Sequence, residues 1–190
     1  MSTTGTLDHL QQVQELNRVF LGLLQGRVRE QGACLGLPLA VRPSLRIAGP
    51  DLLDALARFP RALFRFHTAA RSRVDLADLD ASYDEAEHDL YLSILLAARH
   101  TSRHSGYQAR LLLGLEEPEV RLLCALSLQD LQRLACRPGS LQCALRDRQW
   151  FWHELLTATR PEVRRQLTLM ALQPRVSLEW PQRRPPQPSA

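Results

Sequence analysis

Residues 90–100 read LYLSILLAARH, and residues 113–135 read LGLEEPEVRLLCALSLQDLQRLA. The first stretch places Leu90, Ile94, Leu95 and Ala98 at three- and four-residue spacing, which makes one apolar stripe on a helix. Extended both ways it becomes a long helix over 85–113, with Leu111 and Leu112 on its apolar side and Gly114 as its stop. In the second stretch, Pro118 suits the first turn of a helix over 117–125. Ser127, followed three residues on by Asp130, has the form of a capping box and opens a helix over 128–136. Arg137-Pro138-Gly139-Ser140 is a turn, and 148–158 and 161–172 read as two more helices.

Upstream, the spacing of Leu7, Leu10, Val13, Leu16, Phe20, Leu23, Leu24 and Val28 predicts a long amphipathic helix over 7–35, with Thr6 as N-cap and Gly36 as stop. A loop with Pro38 and Pro43 follows, then a short helix over 50–58 that starts on Pro50. LFRFH at 63–67 has no helical stripe and reads as extended; 68–84 is a polar connection. The tail 174–190 holds five prolines and no apolar face, the composition of a disordered segment. An apolar content of 45% can supply a core, and Leu and Ala dominate it while aromatics make up 6%. The expected fold class is all-α.

Net charge is +4, and all 24 basic residues are Arg. Seven acids and no Arg fall in 75–89, whereas 160–190 holds six Arg against two Glu. The C-terminal end is therefore the better candidate for an anionic partner, with Arg160, Arg164 and Arg165 as expected phosphate contacts. The polar N-terminal residues do not form a signal peptide, and no 18-residue apolar run exists, so a cytoplasmic location and no membrane contact are expected. Cys34, Cys124, Cys136 and Cys143 contain no CxxC pair, which argues for free thiols.

The chain also matches itself. A shift of 78 residues brings Leu35-Gly36-Leu37 onto Leu113-Gly114-Leu115, Leu45 onto Leu123, Leu53 onto Leu131, Leu56-Ala57 onto Leu134-Ala135, Pro60 onto Pro138 and Leu63 onto Leu141. Gly49 falls on the cap Ser127. Farther upstream Leu16 pairs best with Leu90, a shift of 74; the four-residue difference is about one helical turn and nearly preserves the buried face. Gly and Pro fix turns and do not fill cores, so their coincidence carries more weight than Leu on Leu. Two such units can bury against each other as a homodimer does, within one chain.

The second unit resembles FlhD, a subunit of the bacterial flagellar master regulator. LYLSILLAARH looks like the family's opening helix; the Leu90-to-Gly114 spacing and the order "LG, two acids, AL-S/T-L, LA" fit its pattern. Residues 141–146 resemble its apolar, Cys-containing segment. The first unit keeps Leu16-Asn17, Leu35-Gly36, Phe64-Arg65-Phe66 and Ser72-Arg73-Val74-Asp75. The similarity runs over 7–172 and is strongest over 88–146. It implies an interlocked, dimer-like helical fold and transcriptional activation on DNA together with an FlhC-like partner, which in that family carries the structural zinc and much of the DNA contact. FlhD proteins are single units, whereas this chain is doubled, and its first unit has prolines where the paired acids should follow Leu37. The expected organisation is a divergent first repeat over 1–84, a second over 85–173, and the tail 174–190, closed as an intramolecular pseudo-dimer. The alternative is an interaction adaptor that uses the fold without touching DNA.

Other chemistry is sparse. His100 and His104 stand at i, i+4, which can hold a metal, but no Glu sits beside them and the sequence offers no third ligand; they read as a solvated helix face. His67, His88 and His153 are isolated. No nucleophile elbow, GxGxxG or P-loop occurs, so no enzyme, cofactor or metal is expected. Trp150, Phe151 and Trp152, preceded by Arg146 and Arg148, could stack on nucleic acid, but read better as core or partner-facing anchors. Cys143, at the position of the family's Cys, joins them as an expected partner contact. Residues 116–136 have helix-turn-helix spacing, but the second helix carries only Arg133 as a base, opposed by Asp130; the pair reads as packing.

Overall fold

The stripe upstream of Gly36 builds α1, Thr3–Arg29, which buries Val13, Leu16, Phe20, Leu21, Leu24 and Val28. The helix stops six residues short of the expected end. Gln31 turns left-handed, with φ of 58°, and the Gly32 N–H donates to the Arg27 carbonyl at 2.9 Å. These are the marks of a Schellman-type stop, which satisfies the last carbonyls. Gly36 is left-handed too, but serves the turn that follows. The computed structural model describes residues 3–32, 34–66, 85–136, 141–145, 149–157 and 161–172. Expectations for the connection 68–84, the segment at 72–75, the turn at 137–140, Arg146, Arg148, Arg160 and the tail 174–190 lie outside the described residues.

The expected Pro-rich loop is mostly helical. A single 3-10 turn, Leu39–Val41, runs into α2, Arg42–Ile47. Pro43 sits in the first turn, where a missing N–H costs nothing, so it starts this helix. Pro50 does the same for α3, Pro50–Ala57. The predicted helix over 85–113 is two helices, α4 at Glu85–His104 and α5 at Gly106–Leu113. Ser105 takes an extended conformation, and its hydroxyl accepts from the Gln108 N–H at 3.3 Å, capping α5. α5 ends on Gly114, left-handed at φ of 71°, as its sequence position predicts.

α6, Glu117–Ala125, and α7, Leu128–Ala135, follow the sequence reading closely, and the Ser127–Asp130 capping box is formed. α8, Gln149–Thr157, and α9, Pro161–Leu172, close the described chain. The extended reading at 63–67 holds in part: β1, Phe64–Phe66, pairs antiparallel with β2, Leu141–Cys143. This ribbon is the only sheet among the described residues, so the fold is mainly helical.

α1 packs on α2 and α3, α4 on α6 and α7, and α1 against α4; α8 reaches back to α2. The buried side chains form one cluster, from Val13 in α1 to Ala171 in α9. Two buried amides fasten loops to α1. Asn17 donates to the carbonyls of Ala57, Phe59 and Arg61 and accepts from the Leu63 N–H, at 2.8–3.4 Å. Gln25 donates to the carbonyls of Leu45 and Ala48 at 2.9 and 2.8 Å. Such amides satisfy backbone groups that burial would otherwise strand. Among the described residues no helix is long and apolar enough to cross a membrane.

Candidate functional site

The expected aromatic interface is largely interior. Phe151 is 1% exposed and Trp152 fully buried, with its indole N–H donating to the Ala144 carbonyl at 2.8 Å. Phe151 meets Phe59 edge-on at 5.8 Å, which ties α8 to the segment after α3. Cys143 is buried as well; burial pushes its thiol well up, Cys34 adds to this, and Arg42 opposes it. A buried, protonated thiol is inert. Phe151, Trp152 and Cys143 are therefore core residues and cannot be contact points on the folded surface. Of the four residues expected to face a partner, Trp150 alone is exposed, at 42%. The alternation of one exposed and two buried neighbours follows from α8 having a single inner face, which a cluster read as a unit conceals.

Two of the three residues expected to contact phosphate lie among the described residues. Arg164 and Arg165 lie on the outer side of α9, which is held to the core by Leu167 and Ala171. Leu169 and Met170 share that exposed surface. On α7, Arg133 and Asp130 form an exposed pair at 3.9 Å, and Asp130 is held below the usual carboxylate range by hydrogen bonds from the Ser127 side chain and backbone, with a smaller pull from Arg133. Leu131, Leu134 and Ala135 are buried, so α7 spends its apolar face on α4.

The sequence reading missed one histidine. His9, on α1, is buried at the contact with α4, and its Nδ1 lies 3.4 Å from Thr101 Oγ1. Its ring centroid stands 5.5 Å from that of His100 and 5.3 Å from that of His104. Asp8, Gln11, Gln12 and Glu15 complete an open cleft of about 490 Å³. Burial lowers the His9 pKa, His100 and His104 lower it further, and Asp8 opposes them, so the neutral ring is favoured. No local pattern could have revealed this group, because His9 and His100 are 91 residues apart and meet only when α1 packs on α4. Among the described residues, no three His, Cys, Asp or Glu side chains are already set to hold a metal ion.

No family model, curated protein or solved structure matches this chain.

Proposed function

We propose that this chain is a doubled FlhD-like regulatory subunit, an intramolecular pseudo-dimer that activates transcription on DNA together with an FlhC-like partner. It would act in the cytoplasm, by binding and not by catalysis. The observation that carries the doubled unit is the ribbon register. Phe64 pairs with Cys143 and Arg65 with Gln142. Moved back by the 78-residue shift, Cys143 falls on position 65 and Gln142 on position 64, so the two pairs are reciprocal, as a two-fold axis through the ribbon requires.

Further agreement supports it. Residues 39–47 and α3 fall on α6 and α7 under the same shift, and Gly36 and Gly114 are both left-handed. α1 packs on α2 and α3 as α4 packs on α6 and α7. In the long helices the shift of 74 brings Leu16, Asn17, Phe20, Leu21, Leu24 and Val28 onto Leu90, Tyr91, Ile94, Leu95, Ala98 and Ser102, all of them buried.

The regulatory role rests on the family resemblance over 88–146, and the exposed Arg164 and Arg165 suit phosphate contacts that position a complex without reading bases. The adaptor alternative draws support from α7, whose one Arg is paired with Asp130. Binding titrations at several salt concentrations, with and without the FlhC-like partner, separate the two. Weak binding alone and specific binding with the partner are expected. Replacing Arg160, Arg164 and Arg165 by Gln should weaken assisted binding alike on all sequences and reduce the salt slope by at most about 3. No salt-dependent binding in either setting would favour the adaptor; tight, sequence-selective binding by the chain alone would restore α6–α7 as a reading element.

A further inference from the structure

We propose that His9, His100 and His104 form a binding site for a divalent late transition metal, zinc being the natural probe, which clamps α1 to α4. This goes beyond the regulatory reading and does not depend on it, because it rests only on the packing of those two helices. His100 and His104, at i, i+4, occupy neighbouring places on one helix face, the spacing at which two imidazoles share one ion. His9 supplies the third ring from the facing helix. Bound imidazole rings have centroids about 3.2 Å from zinc, so two of them at a tetrahedral angle stand about 5.2 Å apart. The observed separations of 5.5 and 5.3 Å lie close to that.

The three rings are not set around an ion as they stand, so metal binding requires the exposed His100 and His104 to turn toward it, whereas His9 is held by burial. With its proton on Nδ1, His9 can donate toward Thr101 Oγ1 and present Nε2 to the ion, the outer hydrogen bond that orients a metal-bound imidazole. The cleft is open to water, and Asp8 and Glu15 on its wall offer carboxylate oxygens for a fourth position or for charge balance. Imidazole donors suit zinc, copper and nickel; magnesium and calcium prefer an all-oxygen set.

The test uses the whole 190-residue chain, untagged, with Cys124→Ser and Cys136→Ser, so that accessible thiols do not compete. Zinc chloride is titrated by calorimetry, and cobalt(II) by its visible spectrum. One ion per chain, a tetrahedral cobalt spectrum and a melting temperature that rises with zinc are expected. His100→Ala and His104→Ala remove exposed side chains, so the fold should persist, while each weakens zinc binding by more than about tenfold. His9→Gln should do the same, and the two surface variants keep the test decisive if His9→Gln fails to fold. No zinc bound by the parent, or equal binding by the parent and both surface variants, would overturn the site while leaving the pseudo-dimer reading intact.

Discussion

The two halves of this molecule bury matching positions with different chemistry. Asn17 in α1 and Tyr91 in α4 correspond under the 74-residue shift, and both are buried. Asn17 spends its amide on four backbone groups between Ala57 and Leu63, whereas Tyr91 offers a ring that packs near Phe66, 6.4 Å away. The next helix pair differs as well. Ser127 caps α7 with its side chain, but Gly49, at the start of α3, has none to offer. The first half is held by long-range amide hubs and the second by caps written into adjacent residues. Under the proposed doubling, local and distant interactions exchange the task of fixing a common outline.

The strongest way to break this comparison is to charge the shared core. Leu95→Asp and its counterpart Leu21→Asp place an unpaired carboxylate at positions with no exposure, a cost of about 4 kcal/mol or more. Because one cluster spans both halves, either change should abolish the whole folded state in one transition. Calorimetry showing one half melting while the other survives would mean two separate cores.

Next comes the hub itself. Asn17→Ala strands three carbonyls and one N–H and should cost about 3 kcal/mol in chemical denaturation, whereas Tyr91→Phe should cost less than about 1.5 kcal/mol. Equal losses would erase the distinction between the halves.

The smallest effects concern the caps. Ser127→Ala should lose about 1 kcal/mol. Gly49→Ser should gain about 0.3 kcal/mol, since its φ of −79° and ψ of 167° suit a capping serine and an added Cβ there meets nothing within 4 Å. Destabilisation by Gly49→Ser would show that the first half rejects the second half's device.

These contrasts also explain what could be read in advance. α6 and α7 were legible almost to the residue because Pro118, Ser127 and Asp130 announce them locally. The break at Ser105 falls in the polar stretch 99–106, which the long-helix reading bridges with no apolar residue between Ala98 and Gly106, and α2 was hidden because Pro43 can either start a helix or end one. Trp152 and Phe151 carried a correct anchor signal, but composition could not say that the surface they anchor is internal. The histidine cleft was illegible for the same reason as the Asn17 hub: both join residues that only the packing of α1 brings together.

The ribbon register most directly tests the closure of one chain upon itself. Arg65 and Gln142 stand opposite each other, at a separation typical of strand pairs and within the reach of a disulfide. The measurement is disulfide mapping by mass spectrometry after mild oxidation of an Arg65→Cys, Gln142→Cys chain that also carries Cys124→Ser and Cys136→Ser. The pseudo-dimer predicts a bond between positions 65 and 142 within a single chain, which stays monomeric on a non-reducing gel. Bonds formed between chains, or thiols at both positions that stay free, would contradict it.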